Sequence, residues 1–429
     1  MEKRGDVLAD SSHARVEISE NTGRLWFTML SPYSQIMRRL ILVFLLLLPF
    51  WGRAQEDKPR NWSFNGYVKN MQTLLFFNDA FPDFKQGALV DTFLQDNLIH
   101  HRLNFRWQVK DELRLYADLR TRVFYGDLVR ATPDYGAAID DVNNDYFDLS
   151  TVLLDEEAWV VHTMIDRLYL EYFKGDWEVR LGRQRINWGI STVWNPNDIF
   201  NAFAFTDFDY EERPGSDALR VKYYTGFASS LELAVQAFDR WDEATIAGLW
   251  KFNKGTYDFQ VLAGYTQQDL ALGGGWAGNL DDAGLKGEFT YFLPLNDSRQ
   301  ESFAATVGVD YSFSNSLYLN TGYLYNSRGS TNASVANLFN FELSARNLYP
   351  YRHGIFAQVS YPFTPLLNGG AAFIYSPVEV HALFVNPTLT LSVADNWGLD
   401  LVGQLIFDKE EKGYTSPIQA FFLRLKFSY

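Results

Sequence analysis

The chain contains no cysteine. That excludes disulfides and thiolate metal sites, and it suits a protein that crosses an oxidising compartment unfolded, where stray thiols would mispair. Histidine is scarce: His13, His100, His101, His162, His353 and His381. None stands in a Gly-x-Ser-x-Gly setting or in a pair with helical zinc spacing. His100 and His101 are strand neighbours that point to opposite faces, so they cannot hold one metal together. No catalytic residue, metal site or cofactor is expected, and the chain is not read as an enzyme. Basic charge is also short. Lys and Arg number 38 against 52 Asp and Glu, a formal net charge of -14. Nucleic-acid binding wants a basic face, so no such partner is expected. Apart from one stretch near the start, no run approaches the roughly 20 apolar residues that a membrane helix needs.

What is abundant is aromatic: 35 Phe, 24 Tyr and 12 Trp. The exceptional apolar run is 40–50. It follows Met37-Arg38-Arg39 and precedes Trp51-Gly52-Arg53-Ala54-Gln55. A basic start, a short apolar run and a small-x-small site read as a signal peptide over 37–54, cleaved after Ala54. Residues 1–36 are polar and aperiodic. They read as an over-extended gene start or a disordered extension, with Met37 the initiator. The mature domain is then 55–429.

Within it the dominant signal is a period of two. In 113–125 one face carries Leu113, Leu115, Ala117, Leu119, Thr121, Val123 and Tyr125. The other carries Arg114, Tyr116, Asp118, Arg120, Arg122 and Phe124. The same alternation starts at Leu103, Leu219, Leu231, Tyr257, Phe303, Leu317, Ile355 and Leu399. At the C-terminus Phe421, Leu423, Leu425, Phe427 and Tyr429 alternate with Phe422, Arg424, Lys426 and Ser428. A tilted strand of about 9–11 residues crosses a bilayer, with apolar residues toward lipid and polar ones toward a wet interior. The reading is all-β: a transmembrane antiparallel up-and-down β-barrel. Short turns are expected at Lys110-Asp111-Glu112, Lys174-Gly175-Asp176, Asn253-Lys254-Gly255, Ser314-Asn315 and Asp395-Asn396. Long outer loops are expected over 77–96, 126–165, 183–216, 267–281, 327–353 and 409–416. A direct count gives 17 strands. An even number is expected for such barrels, and the up-down parity breaks between 267 and 317. Sixteen strands are expected, with eighteen the alternative.

The alternation dissolves over 181–201, which holds Gly182-Arg183-Gln184, Trp188-Gly189 and Asn195-Pro196-Asn197-Asp198. Here the chain resembles bacterial outer-membrane porin-like families, distantly including alginate-export-type channels. The resemblance covers these residues directly and the rest only through the barrel pattern. It implies that this loop folds into the lumen. Charge inside a wet lumen is tolerated, whereas on the lipid face it costs about 2–4 kcal/mol at mid-depth. Arg183 and Arg185 are therefore expected inside, near a constriction with Gln184, Trp188, Asn195 and Asp198. Asp198, Asp207, Asp209, Glu211 and Glu212 are candidate partners for the two arginines. The alternative is that the arginines only tie the loop to the wall. Arg102, Arg106, Arg114, Arg120 and Arg122 form an inward basic wall, either attracting anions or simply solvated.

The chain is thus read as an outer-membrane channel for passive passage of small hydrophilic solutes. Two alternatives stay open: a non-conducting barrel whose outer loops bind a partner or polysaccharide, and a polymer-export barrel. The expected surroundings are outer-membrane lipid and lipopolysaccharide. A C-terminal strand ending in an aromatic residue resembles the signal read by the barrel-insertion machinery, through Phe427 and Tyr429. A homo-oligomer is compatible with all of this.

Overall fold

The computed structural model describes residues 61–78, 93–140, 146–202, 209, 213–296, 299–332, 343–410 and 413–429. All belong to one unit. The expected extension and signal peptide lie outside the described residues.

Three long strands come first, β1 (Trp62–Phe77), β2 (Phe93–Lys110) and β3 (Leu113–Gly126). Two short helices follow, α1 (Asp127–Ala131) and α2 (Tyr135–Asp140). Then come β4 (Ser150–Glu156), β5 (Trp159–Lys174), β6 (Trp177–Gln184), β7 (Ser216–Gly226), β8 (Ser229–Gln236), β9 (Thr245–Lys254) and β10 (Tyr257–Thr266). The remainder are β11 (Asp269–Leu280), β12 (Ala283–Pro294), β13 (Ser302–Ser312), β14 (Tyr318–Asn326), β15 (His353–Pro362), β16 (Leu367–Tyr375), β17 (Leu383–Ala394), β18 (Trp397–Glu410) and β19 (Gly413–Ser428).

Each strand pairs antiparallel with its neighbours, and β1 pairs with both β2 and β19, so the sheet closes on itself. The strand β4 pairs with β5 alone. It continues the line of β6, which stops at Gln184 and leaves the upper edge of β5 bare. An open edge invites foreign pairing, and a short covering strand removes it. The closed wall therefore has eighteen strands, the alternative count, in place of sixteen.

The missing strand is β11, which occupies most of 267–281. The segment 267–281, read above as an outer loop, carries Gly273-Gly274-Gly275, which interrupt its alternation. Two of these glycines are required by a close approach. A Cβ on Gly273 would stand 2.6 Å from Asn197 Oδ1, and one on Gly275 2.8 Å from the Ile190 side chain. The segment 409–416 is likewise mostly strand, since β18 and β19 run past its ends. Part of 126–165 is taken by α1, α2, β4 and the start of β5.

Outward positions carry the exposed apolar side chains, among them Leu170, Leu181, Leu233, Val261, Leu272, Val307, Leu401 and Leu423. Trp62, Trp107 and Trp177 mark the short-turn end of this band, and Phe76, Phe93 and Trp159 the other end. Large aromatic rings suit both headgroup levels. Between these levels, apart from the covered ion pair of Arg183 and Asp217, the outward faces of β6 through β18 carry apolar residues, glycine, Pro387 and Thr321. Only β1, β2, β3 and β5 depart from this among the described residues. They place Asn70, Gln72, Asn97, His101, Thr121 and Thr163 outward at mid-depth. Thr121 and Thr163 bond each other at 2.9 Å. His101 bonds Tyr429 Oη at 2.8 Å. Tyr429 reaches it by lying across Gly66, where a Cβ would come within 2.7 Å of the phenol oxygen. The amide of Gln72 has its nitrogen buried without a partner. An unpaired amide costs about 4–8 kcal/mol on transfer from water to a medium that cannot hydrogen-bond.

One proline interrupts the wall at depth. The register of β17 with β18 lapses at Asn386 and Pro387. Proline has no N–H to give, and the Asn386 side chain donates to the Gly403 carbonyl at 2.6 Å instead. Replacing Asn386→Leu orphans that carbonyl at a cost of about 1–3 kcal/mol. The temperature at which the folded barrel converts to its slow-migrating unfolded band should fall, while Asn386→Gln should recover part of the loss. An unchanged midpoint for Asn386→Leu would remove this role.

Candidate functional site

The segment between β6 and β7 enters the barrel. Its first part, 185–202, packs on the inward face of β7 through β12. Ile186 and Trp188 are completely buried against Ala218, Ala234, Ala247, Leu249, Leu262, Ala271 and Phe292. These wall residues occupy the parity that elsewhere is polar. Their small or apolar side chains make an interior surface on which a loop can pack dry. Burying a large apolar side chain contributes about 1.5–3 kcal/mol.

Polar side chains of the wall then fix the loop backbone. Glu232 Oε1 accepts from Trp188 Nε1 at 2.6 Å, and Gln260 donates to the Trp188 carbonyl at 2.6 Å. Glu288 accepts from the Ile190 and Ser191 N–H groups at 3.0 and 3.3 Å. Asn197 donates to the Gly274 carbonyl at 3.0 Å and accepts from Thr290 at 2.7 Å. The Pro196 carbonyl, 2.8 Å from the same Thr290 hydroxyl, shares its single proton with Asn197. A loop with buried backbone groups needs such partners.

Further along, Trp194 packs with Leu324, Tyr349, Tyr351 and Phe356 on the β14–β15 side. The end of the outer loop before β15 thus folds inward as well. Asp209 reaches the opposite wall, pairing with Lys69 of β1 at 2.7 Å and Arg424 of β19 at 3.1 Å. Arg213 pairs with Asp198 at 3.0 Å, and its carbonyl accepts from Arg167 of β5. The loop therefore touches the interior wall around most of its circumference.

Among solved structures, three outer-membrane porins of Pseudomonas aeruginosa share this architecture. OccK9 (OpdG) is 11% identical, with 86% of this chain and 98% of that chain covered and a TM-score of 0.56. OccK5 (OpdH) is 9% identical, with the same coverages and a TM-score of 0.56. OccK11 (OpdR) is 10% identical, with 88% and 99% covered and a TM-score of 0.53.

The chain has the fold of a bacterial outer-membrane porin.

At these identities the likeness concerns the fold. No protein-family model matches the chain, and no curated protein does. The similarity of 181–201 to alginate-export-type channels thus rests on those residues alone. The apolar outer band and the closed wall place the porin-fold barrel in the outer membrane.

Within this porin fold the expected constriction residues divide. Trp188, Asn195 and Asp198 are buried in the inserted loop. Asn195 packs on Gly189, and its carbonyl accepts from the Asp198 N–H at 3.1 Å, closing a turn at Asn195-Pro196-Asn197-Asp198. Asp198 also accepts from the Trp188 N–H at 3.1 Å. Burial pushes its carboxyl up to about 6, against the pull of that N–H, Arg213 and Arg185. Arg185 lies beside this carboxyl, but the ion pair goes to Arg213. Gln184 ends β6 on the inward side and donates to the Ala218 carbonyl at 3.0 Å.

Arg183 is placed elsewhere than expected. It shares the strand parity of Leu181, opposite Asp217, which shares that of Leu219. Leu181 and Leu219 are exposed on the lipid side. Arg183 avoids lipid because residues near Phe147 cover it. It is buried, forks onto Asp217 at 3.0 and 2.8 Å, and donates to the carbonyls of Ile165 and Phe147. It fills the corner where β6 ends and β4 begins. Of its other expected partners, Asp207, Glu211 and Glu212 lie outside the described residues.

The basic wall is largely neutralised in place. Arg102 is buried between Asp166 at 2.7 Å and Asp118 at 3.0 Å. Arg120 is 3.8 Å from Asp166, and Arg114 is 3.4 Å from Glu171. Arg122 bonds His162 at 3.2 Å. Arg106 lies over the Tyr116 ring at 5.7 Å. Among the described residues no cluster could hold a metal ion.

Glu232, Gln260, Glu288 and Thr290, the wall residues that fasten the loop, were not singled out in the sequence. Replacing Glu288→Ala leaves the Ile190 and Ser191 N–H groups buried and unpaired, a cost of about 1–3 kcal/mol for each. The barrel should still show heat-modifiable folding, while protease should cut the loop near 190 at least several-fold faster. Equal cleavage rates would show that Glu288 does not hold the loop.

Proposed function

We propose that this porin-fold barrel passes small hydrophilic solutes passively across the outer membrane. The observation that carries the reading is the interior of β1 through β9. Its inward positions hold ionised side chains such as Arg102, Asp166, Glu171, Arg180, Arg220 and Glu232, tied to one another across strands. An ionised wall is stable only beside water or counter-charge; the inserted loop packs dry against the apolar positions of β7 through β12 and meets the charged sector through ion pairs such as Asp209 with Lys69. The inward side chains of Arg106 and Arg114 stay exposed in this sector, which supports a wet path along it. Basic side chains outnumber acidic ones on those inward positions, so anions should pass more readily than cations. The two interior apolar clusters around Trp188 and Trp194 support a second reading, a barrel whose lumen is closed and whose outer loops act by binding.

Planar-bilayer recording of the refolded barrel separates the two. The channel reading expects discrete conductance steps with anion preference. That preference should weaken as the Debye length shortens from about 10 Å at 0.1 M salt to about 3 Å at 1 M. Arg106→Ala should reduce it. Stable insertion with no conductance, persisting when the loop is loosened by Glu288→Ala, would favour the closed barrel.

A further inference from the structure

Four neighbouring strands of the wall carry no ionised side chain. β14 through β17 contain no Asp, Glu, Lys or Arg, whereas every other strand has at least one. In the upper half of this sector the inward residues Leu324, Phe356, Ile374 and Phe384 are buried with Trp194, Tyr349 and Tyr351. In the short-turn half the inward positions stay open. Tyr318, Gln358 and Ser360 are half-buried there, and Asn368 is exposed. They are neighbours across strands, with Tyr318 opposite Ser360 and Asn320 opposite Gln358. Gly370, opposite Ser360, leaves the surface dished. No hydrogen bond or ring contact joins Tyr318, Gln358 or Asn368 to a described residue, and the Asn320 amide nitrogen is buried without a partner.

An ion that leaves water for this surface meets no counter-charge on it. An apolar solute leaves its amides unpaired. Amides and hydroxyls both donate and accept, so they match neighbouring hydroxyl groups on a solute. The face of a tyrosine ring takes an apolar C–H surface while its hydroxyl stays wet. A neutral sugar offers hydroxyls and a C–H face on one ring. We propose that the inner surface of β14 through β17 at the short-turn end, centred on Tyr318, Asn320, Gln358 and Asn368, binds neutral sugars and oligosaccharides. Given the channel reading above, these are a second solute class, taken on a wall distinct from the charged sector of β1 through β6.

Saturation-transfer NMR reads binding whether or not the lumen conducts. Full-length protein is held in a detergent without a sugar headgroup, and maltohexaose is the probe. Saturable transfer to the sugar is expected. A polyethylene glycol of similar length, with ether oxygens but no hydroxyls along its chain, should give at least tenfold less. Tyr318→Ala and Gln358→Leu should each weaken sugar binding about fivefold, the size of one lost ring contact or hydrogen bond, with heat-modifiable folding intact. Leu231→Val, on the lipid face of another sector, should bind as the wild type does. In planar bilayers the sugar should interrupt the wild-type current in discrete events, and that of the double variant Tyr318→Ala, Gln358→Leu far less often. A barrel that binds the sugar and does not conduct would remove the channel reading and leave this site standing. Absence of saturable transfer would overturn the site, as would equal transfer to sugar and glycol, or binding that survives both variants.

Discussion

In hydrocarbon a strand cannot leave its N–H and C=O groups unpaired, so a spanning sheet must close. Here closure falls between β1 and β19, over registers from Tyr67 with Ser428 to Phe77 with Ile418. Much of the unusual local structure serves this requirement. Asn386 lends its side chain where Pro387 has no N–H. The strand β4 covers the edge of β5 that β6 does not reach. Arg183 satisfies two carbonyls at the corner between them. Tyr429, the last residue, lies over Gly66 and bonds His101, fastening the seam from outside.

Once the wall is closed, its inner face decides what the barrel can hold. The interior is divided. Along β1 through β6, guanidinium groups and carboxylates alternate between strands and neutralise one another. Along β7 through β12, alanine, leucine and phenylalanine stand among the charged groups Arg220, Glu232 and Glu288, and the inserted loop packs there like a small core. The loop is fastened by acceptors and donors that rise from the wall, above all Glu232, Gln260 and Glu288. The same residues that look like lumen polarity in a list are, in space, the hydrogen-bond partners of a buried backbone.

The outward face was legible in the sequence because its physics is local. Alternation in 113–125 or 303–313 needs no knowledge of neighbours, and turns such as Lys174-Gly175-Asp176 announce themselves by composition. β11 was missed because Gly273 and Gly275 answer a distant loop. Their reason lies in Asn197 and Ile190, far off in the chain. A usable signal was nonetheless present. Ala218, Ala234, Ala247, Leu262 and Ala271 are apolar on the parity that should be wet, which marks the sector where something dry must lie. Arg183 is expected inside because a guanidinium against lipid is costly; its actual parity is outward, and the burial by the Phe147 segment that makes this tolerable is invisible from its own surroundings.

The most direct test of a closed sheet with lipid outside and water within uses the absence of cysteine. A single introduced thiol can carry a spin label at Val307 or Leu319, both outward, and at Thr306 or Asn320, their inward neighbours. In reconstituted membranes, labels at Val307 and Leu319 should collide freely with dissolved oxygen and be shielded from a water-soluble relaxant. Labels at Thr306 and Asn320 should be shielded from oxygen. Equal accessibility of neighbouring positions to both relaxants would contradict the account.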